Sequence, residues 1–211
     1  MSKRIRISIA GFSAAVLVNP DSPVKTTKEL IAQARTTGGK FNAGSIQIGS
    51  AQYLATELFK SLAGLSHTTV PFNNTGALIG ALRGNEIQAA FEFLPPVLGQ
   101  LRAGSLRAVA VSSKTRFSLL PAVPTLDESG LPGYEVISWN GIGAPAKTPR
   151  AIVERLNREL HAAVNSPPVK QRFAELGIEQ NLKTPEEMRA FVTSEIAKWD
   201  ALIDTAKILR L

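Results

Sequence analysis

Residues 41–62 read FNAGSIQIGSAQYLATELFKSL. A short apolar run at 41–43 passes through a Gly/Ser-rich loop into a stretch where Leu54, Leu58 and Leu62 recur every four residues, the spacing of one helix face. Strand, loop and helix make half of a βαβ unit, and the pattern continues on both sides. Upstream, Thr26 caps a helix reaching Ala34, with Glu29 at its third position completing a capping box, Leu30, Ile31 and Ala34 inward, and Gly38-Gly39 ending it. Downstream come a strand at 68–70, a helix at 77–83, a strand at 87–91, a helix at 96–102 and a strand at 106–111. Such alternation predicts an α/β fold with a parallel-rich sheet covered on both faces, which explains the nearly all-apolar strands Ala89-Ala90-Phe91 and Ala108-Val109-Ala110-Val111.

The ends of the chain are less regular. Ile5, Ile7 and Ile9 alternate with Arg6 and Ser8, so a strand is expected that Gly11 breaks before a second buried strand at 14–18, closed by Asn19-Pro20. The basic start Lys3-Arg4-Ile5-Arg6 followed by an apolar run imitates a signal peptide, but no small-x-small cleavage site follows, and the strand reading is preferred. Pro121, Pro124, Gly130 and Pro132-Gly133 mark an irregular connection, with a lobe boundary there or just beyond. A strand at 135–142 then leads to a helix opened by Thr148-Pro149 with Ile152, Leu156 and Leu160 inward, a second at Pro167-Pro168, and a short strand near Ile178. Thr184-Pro185-Glu186-Glu187 opens the last helix, whose inward stripe is Met188, Phe191, Val192, Ile196, Trp199 and Ile203.

Composition removes several chemistries. The chain has 211 residues, a net charge of +7, 44% hydrophobic residues and no cysteine, which excludes disulfides, thiolate nucleophiles and iron–sulfur ligation. Its Lys and Arg are scattered or paired with acids, and 6% aromatics give no stacking platform, so no nucleic-acid partner is expected. The two histidines, His67 and His161, read as structural, and no cofactor or metal site is expected. Gly141-Ile142-Gly143-Ala144-Pro145-Ala146 lacks the third glycine of a dinucleotide fingerprint, Gly39-Lys40 lacks a phosphate-loop context, and Gly11-Phe12-Ser13-Ala14-Ala15 is not a nucleophile elbow. No catalytic residue is assigned.

One feature survives this filter. Gly44-Ser45-Ile46-Gln47-Ile48-Gly49-Ser50-Ala51-Gln52-Tyr53 runs from the carboxyl end of a strand into a helix, where open α/β sheets bind ligands. Unpaired helix-start N–H groups and a partial positive charge suit an anion, and glycines let it approach the backbone. Ser45, Gln47, Gly49, Ser50, Gln52 and Tyr53 are therefore candidate ligand contacts, the alternative being that Ser50 simply caps its own helix. A second start at Asn73-Asn74-Thr75-Gly76-Ala77 adds Asn74, Thr75 and Gly76.

The order Pro23-Val24-Lys25-Thr26, Glu29-Leu30-Ile31, Gly44-Ser45, Gly49-Ser50, Glu57-Leu58-Phe59, Val70-Pro71-Phe72, then Leu101-Arg102-Ala103-Gly104-Ser105-Leu106-Arg107, resembles the Bug/TctC family of extracytoplasmic solute receptors. Pro121-Ala122-Val123-Pro124-Thr125, Gly130-Leu131-Pro132-Gly133-Tyr134, Trp139, Ala144-Pro145 and Thr148-Pro149 extend the resemblance over essentially the whole chain. It implies a type II periplasmic-binding-protein-like fold that captures a small carboxylate and delivers it to the membrane subunits of a tripartite tricarboxylate transporter, in the periplasm.

The resemblance also implies that residues 1–11 are a crossover strand, 12–133 a complete ligand-binding lobe, and 134–211 the C-terminal part of a second, incomplete lobe. The C-terminal helices are then expected to repack, to self-associate through their apolar stripe, or to belong to a longer receptor. Tyr53 stands where the family usually has His, Phe72 where it has Tyr, and Glu92 where it has Asp, so ligand identity stays open. Glu92 has two readings, a partner for an amine or hydroxyl of the ligand or a solvated loop acid. Rival functions are a non-binding remnant or interaction module, and a carboxylate-dependent hydrolase with Glu92 as base.

Overall fold

The computed structural model describes residues 5–37 and 39–208, with Ile5 and Arg6 described for their backbone alone. Lys3, Arg4 and Gly38, all weighed above, lie outside the described residues. The chain forms two compact units, Ser13–Ile137 and a second made of Met1–Phe12 with Ser138–Leu211.

In the Ser13–Ile137 unit, strands and helices alternate as β1 (Ile5–Val18, entering from the other unit), α1 (Thr27–Thr36), β2 (Asn42–Ile46), α2 (Ala51–Leu62), β3 (Thr68–Phe72), α3 (Thr75–Arg83), β4 (Ala89–Phe93), α4 (Leu94–Arg102) and β5 (Arg107–Val111). The sheet order is β3-β2-β4-β1-β5, with β2 parallel to β3 and β4. β1 is antiparallel to both β4 and β5, so β2 to β5 share one direction and β1 alone opposes them. The sheet is thus parallel-rich, as the alternation predicts, with β1 as its antiparallel member, since no crossover helix precedes that strand among the described residues. Leu78, Leu82, Leu94 and Val97 pack on Leu17, Ala90 and Val111 in the core.

The stretch after β5 is irregular, yet it is pinned by specific bonds. Ser112 Oγ accepts from the Ala14 amide at 2.8 Å and donates to the Val136 carbonyl at 2.6 Å, and the buried Tyr134 hydroxyl donates to the Ala55 carbonyl at 2.7 Å. Each bond satisfies a buried polar group, the condition for burying loop backbone at all.

β1 does not break at Gly11. It stays extended because its partners change along its length: Ser8, Ala10 and Gly11 face Lys183, Gln180 and Glu179, whereas residues from Ala14 face β4 and β5. A glycine weakens a strand only by entropy and a missing side chain, and a ladder on either side of it outweighs that.

The other unit adds β6 (Ile137–Ala144), α5 (Arg150–Asn165), α6 (Pro167–Leu176), β7 (Glu179–Lys183) and α7 (Pro185–Thr205), with β6 and β7 both pairing with β1. The capping boxes Thr26/Glu29 and Thr184/Glu187 are both formed. The inward faces differ from expectation. On α5, Ile152 and Leu156 are 50% and 42% exposed, and Val153, Asn157 and Val164 are buried instead. On α7, Met188 is buried as expected, but Ile196 is exposed and Leu202 takes a core place. On α2 the buried set is Ala55, Thr56, Glu57 and Phe59, while Leu62 is exposed. Apolar periodicity identifies each helix, but the packing partner chooses which side of a wide stripe is covered. Among the described residues, no helix is long and apolar enough to cross a membrane.

Candidate functional site

Because β2, β3 and β4 run in one direction, their carboxyl ends at Ile46, Phe72 and Phe93 lie on one edge of the sheet, and α2, α3 and α4 begin there. This is the edge where an open α/β sheet leaves helix starts uncovered.

At α2, Gly49 adopts φ +85°, a left-handed conformation that glycine takes without steric cost, and the Ser50 amide donates to the Gln47 carbonyl at 3.0 Å. The Ser50 hydroxyl accepts from the Tyr53 amide at 3.1 Å, and the Leu54 amide donates to the Ser50 carbonyl at 3.0 Å. Ser50 therefore caps its own helix. The amides of Ala51 and Gln52 precede the first intrahelical bond and have no acceptor among the described residues. At α3, Asn74 Oδ1 accepts from the Ala77 amide at 2.9 Å, which leaves the Thr75 and Gly76 amides in the same condition. Two neighbouring helix starts thus expose two unpaired amides each at one sheet edge.

Gln47, Gly49, Asn74 and Gly76 are exposed, and Ser50, Gln52, Tyr53 and Thr75 are half-buried. Burial, with Glu57 nearby, raises the Tyr53 hydroxyl above its usual pKa, so it is a neutral donor. Ser45 is fully buried and its hydroxyl donates to the Ile46 carbonyl at 3.0 Å, so it faces the interior of the unit.

Glu92 is 1% exposed and lies within β4 opposite Ala15, which rules out a solvated loop acid. Its Oε1 accepts from Gln52 Nε2 at 2.9 Å and from the Phe93 amide at 2.8 Å, and its Oε2 accepts from Thr75 Oγ1 at 2.8 Å. The structure thus brings Gln52, Thr75 and Glu92 together in one cluster beneath the two helix starts.

Phe93, the N-cap of α4, was not identifiable as part of this cluster, because the helix was expected to start at Pro96 and instead starts at Leu94. Pro95 and Pro96 within the first turn were the available signal, since proline is tolerated there and commonly marks a start just before it. Gly44 is a second unforeseen element. A Cβ there would stand 2.4 Å from Ile87 Cδ1 and 2.6 Å from Leu78 Cδ1, so the ends of these two side chains pack into the space that glycine leaves and would have to shift for any other residue. On the opposite edge, a cleft of about 190 Å³ is lined by Asn19, Asp21, Ser22, Gln33, Asn85 and Gln88. Arg107 stands nearby, but its guanidinium is committed to the carbonyls of Pro20, Ser22 and Val24.

Residues 4–208 match the family described as tripartite tricarboxylate transporter family receptor, TctC. Protein BugT of Bordetella pertussis is 33% identical over 200 residues, 94% of this chain and 61% of the relative. A UPF0065 protein of Pseudomonas sp. strain P51 is 32% identical and is covered over 60% of its length, so the chain spans about three fifths of these relatives. Among solved structures, R. palustris Rpa4515 with adipate superposes with a TM-score of 0.84 at 34% identity, covering 97% of this chain and 69% of that one. MatC from Rhodopseudomonas palustris with bound malate gives 0.78 at 26% identity over 96% and 70% of the two chains. The alternating strands and helices, the two capped starts on one sheet edge and the match over nearly every residue place this chain in the tripartite tricarboxylate transporter receptor family.

Proposed function

We propose that this chain binds a small carboxylate at the edge formed by the starts of α2 and α3, as a periplasmic receptor serving a tripartite transporter, without chemical turnover. The observation that carries this reading is the pair of unpaired amides at each of the two helix starts, Ala51 and Gln52 on one and Thr75 and Gly76 on the other. Charge-assisted bonds from such amides contribute about 1.5–3 kcal/mol each, so two or three hold a carboxylate without any Arg or Lys. The half-buried Tyr53 hydroxyl and the exposed Gln47 and Asn74 side chains supply orientation. Adipate and malate, named with structures of two relatives, indicate the ligand size and class to try. Glu92 is enclosed by three donors, which argues against its acting as a base toward a substrate.

Calorimetric titration with hexanoate, adipate, malate and citrate tests this reading. Saturable heat with no product formed is the expected result; product formation points to the hydrolase, and silence to a non-binding module. Ser50→Ala combined with Gly49→Val is expected to weaken binding at least tenfold, and an unchanged Kd removes this loop from the site. The exposed Ile152 and Leu156 of α5 give the proposed self-association surface, and Ile152→Glu with Leu156→Lys is expected to shift the sedimentation coefficient toward the monomer.

A further inference from the structure

The carboxylate of Glu92 meets the amino ends of three helices. Gln52 is the second residue of α2, Thr75 the first of α3 and Phe93 the N-cap of α4, and each gives Glu92 one hydrogen bond. Among the described residues no Lys, Arg or His forms an ion pair with it. A buried carboxylate without a cation is costly, and here three neutral donors and the positive ends of three helix dipoles offset that cost. The donors are shared with the edge described above. Gln52 and Thr75 each contribute a side chain to Glu92 and a free amide to the open surface.

We propose that Glu92 is the positioning and specificity-determining residue of this edge. Its carboxylate fixes the separation of the α2 and α3 starts, and its charge already occupies the field that the helix ends provide. A ligand carboxylate is then accepted at the exposed amides, while a second ligand charge placed close to Glu92 is repelled. The favoured ligand is an acid whose remaining polar groups are uncharged or donate hydrogen bonds. This specificity rests on the carboxylate reading of the preceding subsection; the positioning role does not.

The experiment compares the full chain with Glu92→Gln, which keeps an acceptor oxygen and removes the charge, and Glu92→Ala, which removes both. Without ligand, hydrogen exchange of amides in residues 51–54 and 75–78 is expected to accelerate at least tenfold in Glu92→Ala and to stay within threefold of the parent in Glu92→Gln. Unchanged exchange in Glu92→Ala overturns the positioning role. Thr75→Val cuts one of the three bonds and gives the same reading at the α3 start alone if Glu92→Ala does not fold. With ligand, titrations use adipate and hexanoate, which share a chain length and differ by one carboxylate. Glu92→Gln is expected to tighten adipate at least tenfold more than it tightens hexanoate. An unchanged adipate-to-hexanoate ratio overturns the specificity role. Failure of all three proteins to bind either acid overturns the carboxylate reading and the specificity role with it, and leaves the exchange result to decide the positioning role.

Discussion

His67 is 3% exposed between the rings of Phe41 and Phe59, and both of its ring nitrogens lack a hydrogen-bond partner. Burial, and secondarily the Lys60 charge, lower its pKa to about 4 from an ordinary 6.5. The unfolded chain takes up a proton between these values and the native protein does not. Stability from this group is therefore full above pH 6.5 and is lost as pH falls toward 4, by about 3 kcal/mol at most. His67→Leu is expected to flatten that part of the pH profile relative to the parent, as read from urea midpoints at pH 7 and pH 5; parallel profiles would refute the burial account. The histidine was legible as structural because it stands at the mouth of a strand, whereas its burial between Phe41 and Phe59 was not, since its sequence neighbours are Ser66 and Thr68. Glu92 was legible as a candidate at a strand's end, but its enclosure was not, since the three groups that surround it come from positions 52, 75 and 93.

Elements in this chain are decided locally at their ends and by their neighbours in the middle. Thr26 and Thr184 with a glutamate three residues on are enough to locate two helix starts, because both partners of a capping box lie within one turn. Ser50→Ala is expected to cost about 1 kcal/mol of stability through the lost bond to the Tyr53 amide, measured by chemical denaturation. Two glycines give opposite expectations. At Gly141 on β6 an added Cβ meets the Ile7 backbone carbonyl at 2.6 Å, so Gly141→Ala is expected to destabilise by about 1–3 kcal/mol. At Gly80 within α3 nothing lies within 4 Å of an added Cβ, so Gly80→Ala is expected to stabilise by roughly 0.5–1 kcal/mol. Equal effects of the two substitutions on the urea midpoint would contradict these geometries.

At the scale of the whole molecule, the two units differ in how much they bury. The Ser13–Ile137 unit encloses Phe41, Phe59, Phe91, Phe117 and Tyr134 with a continuous aliphatic core, whereas the other relies on Ile7, Val153, Val164, Met188 and Leu202 and leaves Ile142, Ile152, Leu156, Leu176 and Ile196 exposed. Local opening costs least where few apolar groups are buried. Native-state hydrogen exchange is expected to show α5 and α6 opening at lower free energy than α2 and α3, and uniform protection would contradict this. The alternation of apolar runs with amphipathic stretches, read along the sequence, was enough to establish the α/β class, and the two capping boxes were enough to locate the starts of α1 and α7, because each depends on residues a few positions apart. Tertiary structure alone decided that β1 runs unbroken and antiparallel beside β4 and β5, that α5 buries Val153 and leaves Ile152 outside, and that Glu92 is held by three helices. Those outcomes depend on which distant backbone or side chain arrives as partner, and neither strand pairing nor the placement of a buried charge is encoded in a local pattern.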